Sequence, residues 1–314
     1  MPITKRRHLP TRHIKNAMSS TKPLLGNTLL LEYANGAATR TTKRVQRLLA
    51  PQVLVPVHTG RHSAFGDNLP SLRIPSTLRA LGHSAARIVI GMGDSRYSCD
   101  PHSFDIPQDA SNEEVLEFLM HDSIDLTAEI ASQVTEIEVV EKAVAAAGAG
   151  KNADWSNPDV DPVVIIDSEI KSLIPASLAQ EFAVVFGINA WEKFKYNPNV
   201  KARGTNALSW ETAKNLFHTG ARFETSYGVR ITGEGAEAER PVFTFPEDAV
   251  LIVASSENAN RRDPSFMKTF TVDPKRLGSK IIPSGDGRFM ILKMDWSTDI
   301  QVTNAHGVRR LNVR

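Results

Sequence analysis

Hydrophobic and polar positions change rhythm several times along the 314 residues. Residues 1–50 hold no sustained period. Basic and small polar residues surround one apolar patch, Leu24–Leu31, and the segment reads as an arm rather than part of a core. Two short β-branched runs follow, Val53–Val57 and Arg87–Ile90. Between them His58 to Ala85 spans about 28 residues, and a loop that long without its own core is uncommon in a compact domain. The pattern leaves two readings open, a disordered segment or a long hairpin that is buried on another chain.

The clearest periodic signal runs from Ser111 to Ala147. Ser111 and Glu114 match a capping box, and Asp109, Glu113 and Glu114 suit the positive end of a helix dipole. Apolar residues then recur at Leu116, Leu119, Ile124, Leu126, Ile130, Val134, Ile137, Val140 and Val144, close to helical spacing. Gly148 ends the pattern. At 1.5 Å per residue the predicted helix is about 50 Å long. Residues 105–141 hold eleven Asp/Glu and no Lys or Arg, so the helix lacks the usual i,i+4 basic partners. A solvated acidic face is the plain reading; a basic partner would relieve the repulsion.

From Lys151 the pattern is mixed α/β. Asp161-Pro162 reads as an N-cap with proline in the first turn of a helix lined by Val163, Ile166, Ile170 and Leu173. Phe182–Ile188 reads as a buried strand. Asn189 and Glu192 match a capping box for a short helix carrying Trp191 and Phe194, and Ser209 caps another that ends at Gly220. Strands are then expected at Phe223–Ile231, Val250–Ala254, Phe266–Val272, Phe289–Asp295 and Ile300–Val302, with a last short one before Arg314.

Charge sharpens this picture. The formal net charge is only +2, but residues 1–50 carry ten Lys/Arg against a single acid, Glu32, a net of +9, which leaves −7 for the remainder. That asymmetry points to an arm seeking an acidic partner. No apolar run is long enough to span a membrane, and Leu24–Leu31 is broken by Gly26, Asn27 and Thr28 with no small-residue cleavage site after it. Cys99 is the lone cysteine, which excludes an intrachain disulfide and a cysteine metal cage. A soluble protein of a reducing cytoplasm is expected.

Catalytic patterns are weak. Ser168–Lys171 and Ser265–Lys268 both match Ser-x-x-Lys but lack the companions of a serine-lysine acyl transferase. His58 and His62 would share a helix face, yet Gly60 lies between them and no third ligand is placed. Gly91-Met-Gly-Asp94 and Ser284-Gly-Asp-Gly287 are turn chemistry. No catalytic residue, metal ligand or cofactor is expected. The basic arm suits nucleic acid electrostatically, but Tyr33 is its one aromatic residue, so it lacks stacking groups, and protein contact is favoured.

The order of these features, together with local motifs, resembles the major capsid proteins of tailed bacteriophages, the Hong Kong 97-type fold. Trp155-Ser-Asn-Pro-Asp-Val-Asp-Pro162 looks like the family's lead-in to its axial domain. Phe186-Gly-Ile-Asn-Ala-Trp-Glu-Lys-Phe-Lys-Tyr-Asn-Pro-Asn-Val200 looks like its strand and following helix, and Arg262-Asp-Pro-Ser-Phe-Met-Lys-Thr-Phe270 like its Pro-Ser-Phe strand. The resemblance implies an α+β fold in four parts. Residues 1–50 would be the N-terminal arm and 51–93 an extended β-hairpin loop. Residues 94–153 and 257–290 would form a peripheral domain with its sheet and a spine helix over 111–147. Residues 154–256 and 291–314 would form a mixed α/β axial domain.

The implied function is structural: self-assembly into hexamers and pentamers of an icosahedral shell around double-stranded phage DNA. Its place would be the virion capsid, assembled in the bacterial cytoplasm. Partners would be further copies, a portal, scaffolding or decoration proteins, and DNA held without sequence specificity. Expected contact residues are Lys5, Arg6, Arg7, Arg12 and Lys15 in the arm, and Arg61, Phe65, Leu69, Leu72, Ile74, Leu78 and Leu81 in the loop. On the spine helix they are Glu113, Glu117, Asp122, Asp125, Glu129 and Glu136. No lysine lies between Lys43 and Lys142, so the loop-lysine crosslink of some family members is absent. The rival readings are an encapsulin-like nanocompartment shell, a basic-arm DNA-binding protein, and an unrecognised enzyme.

Overall fold

The computed structural model describes residues 32–38, 44–62, 95–109, 113–203, 216–217, 221–232, 240–272, 278–283 and 289–314. The expected strand Arg87–Ile90 and most of the expected helix from Ser209 to Gly220 lie outside these residues.

In chain order the elements begin with α1 (32–38), α2 (Arg44–Leu49), β1 (Gln52–Val55), β2 (Thr59–Arg61), β3 (Arg96–Ser98) and β4 (Asp100–Asp109). Next come α3 (Glu113–Ala147), β5 (Lys151–Ala153), α4 (Pro162–Ser177), β6 (Phe182–Phe186), α5 (Ile188–Tyr196) and α6 (Pro198–Arg203). The rest is strand: β7 (Arg222–Thr225), β8 (Val229–Thr232), β9 (Arg240–Phe243), β10 (Ala249–Ala254), β11 (Met267–Val272), β12 (Gly278–Pro283), β13 (Phe289–Val302) and β14 (Val308–Val313).

Two five-stranded sheets carry the fold. In the first, β13 is the central strand. It pairs antiparallel with β4 along one side and with β12 and then β11 along the other, and β1 adds to β11 in parallel. The second has the order β5-β14-β10-β6-β7 and mixes parallel with antiparallel pairs. Its central strands, Phe-Ala-Val-Val-Phe in β6 and Ala-Val-Leu-Ile-Val-Ala in β10, are buried at every position because both faces are covered. On one face α4 and α5 close an aromatic core around Trp155, Phe186, Phe194, Phe217 and Phe223. On the other, α2 and the C-terminal half of α3 pack Val45, Leu49, Val139, Val140 and Ala143 against Val185 and Leu251.

The stop at Gly148 holds, for the residue sits at φ +67, where a Cβ would be strained. So does the start of α4: Asp161 accepts the Val163 N–H at 3.0 Å, Pro162 opens the helix, and Val163, Ile166, Ile170 and Leu173 are buried. β2 and β3, on either side of residues 63–94, pair antiparallel as Thr59↔Ser98, Gly60↔Tyr97 and Arg61↔Arg96.

Several expectations fail, each for a local reason. The end of the segment read as an arm is core, since Ala34, Ala37, Val45, Leu48 and Leu49 are all buried. The capping box of Asn189 and Glu192 does not form. Helix α5 starts two residues earlier, after Gly187, because the 246–249 turn supplies the caps: Ala190 N donates to Glu247 O at 3.0 Å. Phe223–Ile231 is two strands in two sheets, β7 and β8, parted by residues 226–228. Phe289–Asp295 and Ile300–Val302 are one strand, β13, so the chain passes from the first sheet to the second after Val302 and not near residue 290. Strands β4, β5, β9 and β12 and helix α6 were not expected from the sequence.

The largest correction concerns which face of α3 is buried. Met120, Ile124, Ala128, Ala131, Thr135, Val139 and Ala143 face the core, whereas Leu126, Ile130 and Val134 are exposed. The apolar stripe read from the sequence mixed two faces. Small side chains let the helix approach the sheet closely. Two core-facing hydroxyls are satisfied within the helix, Thr127 Oγ1 on Ser123 O at 2.7 Å and Thr135 Oγ1 on Ala131 O at 2.8 Å, and Ser123 Oγ accepts from Gln108 Nε2 of β4 at 2.7 Å. A hydrophobicity count passes over a core face built from Ala, Ser and Thr.

Candidate functional site

Asp122, Asp125, Glu129 and Glu136 follow at intervals of three, four and seven, which places them along one edge of α3 beside its buried face. The end of the basic segment lies against this edge. The Tyr33 hydroxyl donates to Asp125 Oδ2 at 2.8 Å, and its ring sits 4.4 Å from that of His121. Further along, a cavity of about 230 Å3 is lined by Arg44, Val45, Glu136, Glu224, Thr225, Tyr227 and Gly228. Arg44 reaches Glu224 at 3.6 Å, an exposed pair of small energetic weight. Glu136 is buried and lies close over Gly228, where an added Cβ would come within 3.2 Å of its Oε2.

The expected contact residues divide accordingly. Asp125 and Glu136 meet other parts of the chain, and Asp122 and Glu129 are exposed. The side chains of Glu113 and Glu117 lie outside the described set. Arg61 is exposed at the end of β2. Lys5, Arg6, Arg7, Arg12, Lys15, Phe65, Leu69, Leu72, Ile74, Leu78 and Leu81 lie outside the described residues.

Two ion pairs correct the view of an uncompensated helix. Lys142 sits 2.8 Å from Glu138, one helical turn away, and donates to Ile300 O at 2.9 Å. Arg230 pairs with Glu141, and Gln133 Nε2 donates to Val229 O at 2.8 Å, so the β8–β9 hairpin is tied to the outer side of α3. The Glu138–Lys142 spacing was visible in the sequence; the Arg230 contact spans 89 positions and left no local signal.

The weak catalytic patterns find structural partners. Ser265 Oγ accepts the Ser256 N–H at 3.0 Å, while Lys268 Nζ donates to Asp263 O at 2.8 Å with the carboxylate 3.3 Å away. Burial lowers the Lys268 pKa, and the Asp263 charge opposes that shift. Thr59–Arg61 is a strand, so His58 and His62 share no helix face; His62 packs on the Phe270 ring. Burial and then the charges of Asp299 and Asp100 push the Cys99 thiol up to about 11, which leaves it unreactive. Among the described residues no cluster of three or more His, Cys, Asp or Glu can hold a metal, and no helix is long and apolar enough to cross a membrane.

Comparison with solved structures decides the fold. A phage-related protein from Bordetella bronchiseptica superposes with a TM-score of 0.70 at 18% identity, covering 91% of this chain and 96% of its own. The chain has the Hong Kong 97-type capsid fold. The same fold is shared at greater distance by a virus-like particle from Pyrococcus furiosus, at TM-score 0.54 and 11% identity over 90% of this chain and 98% of that one. An encapsulin complex from Synechococcus elongatus matches at 0.51 and 12%, over 98% and 96%. No family model matches the sequence, and no curated protein matches it.

Proposed function

We propose that the chain is a tailed-phage major capsid protein, a structural subunit whose hexamers and pentamers close an icosahedral shell around double-stranded DNA. The observation that carries this reading is the extent of the likeness to the phage-related protein, nearly the whole of both chains. The first sheet with α3 would be the peripheral domain, the second sheet with α4 and α5 the axial domain, and the base formed by β2 and β3 the root of the extended loop. The chain would act by contact alone and would catalyse no reaction. Portal, scaffolding or decoration proteins would be its partners in the virion, with assembly in the bacterial cytoplasm.

A nanocompartment shell is the second reading, favoured by the virus-like particle and the encapsulin among the similar structures. The greater extent of the likeness to the phage-related protein, a TM-score of 0.70 against 0.54 and 0.51, favours the phage reading. Purified protein should form closed particles in negative stain. Particles that protect DNA from nuclease support the capsid, particles holding a protein cargo support the nanocompartment, and a stable monomer that binds oligonucleotides overturns both.

A further inference from the structure

On the outer side of α3, Leu126, Ile130 and Val134 follow one another at intervals of four, and all three are exposed, Leu126 at 58%. Ile137 continues the line and lies between Gln133 and Glu141, the two residues that hold the β8–β9 hairpin. The register of the hairpin pairs Val229 with Phe243 and Ile231 with Pro241, so these four side chains share one face. Arg230, from the opposite face, reaches back to Glu141. All four are exposed, Ile231 at 67%. The helix line and the hairpin tied to the same helix therefore both show apolar side chains to solvent. Grouped exposed apolar side chains of this kind mark interaction surfaces.

We infer that this strip, Leu126–Ile130–Val134 on α3 continued by Val229, Ile231 and Phe243 on the hairpin, is covered by a second copy of this chain. Charge identifies the occupant. Asp122 and Glu129 flank the strip, and α3 carries no basic residue before Lys142. A matching partner presents cations beside apolar groups. The same sequence supplies this: residues 1–31 hold Lys5, Arg6, Arg7, Arg12, Lys15 and Lys22, no acid, and the apolar patch Leu24–Leu31. Pro241 lacks an N–H and weakens β9 as a template for strand addition, so the copy docks through side chains rather than by extending the hairpin.

The inference rests on the shell reading, and the experiment separates the two. Full-length wild type, the double variant Leu126→Asp/Ile130→Asp and the single variant Ile231→Asp are compared by sedimentation velocity and negative stain. Circular dichroism melts verify that the variants fold, as solvent-exposed positions allow. The expected result is closed particles for wild type and a drop in particle yield of about tenfold or more for both variants, with unchanged melting. Variants that assemble as wild type does overturn the strip and leave the shell reading standing. Wild type that associates only into small oligomers, lost in the variants, overturns the shell reading and keeps the strip. Wild type that stays monomeric overturns both.

Discussion

The Tyr33 hydroxyl donates to the Asp125 carboxylate at 2.8 Å across 92 positions of sequence, and this bond fastens the end of the basic segment to the middle of the long helix. Around it Ala34 and Ala37 bury against Ile124 and Ala128, so the segment is anchored by packing as well as by the bond. Tyr33→Phe keeps the ring against His121 and removes only the hydroxyl. A loss of about 1 kcal/mol in unfolding free energy is expected, measured by chemical denaturation. A change below about 0.3 kcal/mol would show that the bond adds nothing beyond packing.

Gly187 is a second point where one atom decides the structure. At the end of β6 the backbone passes so close to the 246–249 turn that an added Cβ would lie 2.2 Å from Pro246 O and 2.3 Å from Glu247 O. Backbone oxygens cannot swing aside as a side-chain end can. Gly187→Ala should therefore cost about 3 kcal/mol, by forcing apart β6 and the turn that caps α5. Gly148→Ala is the contrasting case: nothing lies within 4 Å of its Cβ, so its only penalty is the positive φ, about 1 kcal/mol. Thermal melts of the two variants should rank in that order.

Cys99 makes stability depend on alkaline pH. Its pKa stands near 11 in the folded chain against 9.0 for the free group, so the folded state holds a proton that the unfolded state gives up. The contribution is fully present below pH 9 and is lost as pH rises through 9 toward 11. The difference in unfolding free energy between wild type and Cys99→Ser should therefore shrink over that window. A native thiol that reacts at neutral pH as fast as a free cysteine contradicts this account, since burial is the first cause of the shift.

Much of the fold was legible in local sequence. Asp161-Pro162, the all-apolar runs of β6 and β10, and Gly148 each carry their own physics, a cap, burial on both faces, and a left-handed stop. What was hidden depends on partners far away in sequence. Val45 and Leu49 look like part of a basic arm until β6 and β10 are in place to bury them. Asn189 and Glu192 spell a capping box, but the carbonyl of Glu247 does the capping. Leu126, Ile130 and Val134 look like core until the small residues on the adjacent face prove to be what the sheets accept. The acidic edge of the site was legible as composition; the Tyr33 contact with it and the Arg230 contact on the outer side of α3 were not.

The charge split yields the last prediction. Replacing Lys5, Arg6, Arg7 and Arg12 together by Gln removes four cations from a segment whose net charge is +9. If these cations meet acids such as Asp122 and Glu129 on another copy, wild-type particle yield falls as salt rises. Screening shortens the reach of exposed charges to about 8 Å at 0.15 M. The quadruple variant should assemble less well at low salt and respond less to added salt. Asp122→Asn/Glu129→Gln, which removes the other side of the contact, should flatten the salt response in the same way. If the cations instead hold nucleic acid, the quadruple variant loses DNA from its particles while the acidic variant keeps it, and the two salt curves separate. Superimposed curves for wild type and both variants would remove charge complementarity from assembly, leaving apolar contacts to close the shell.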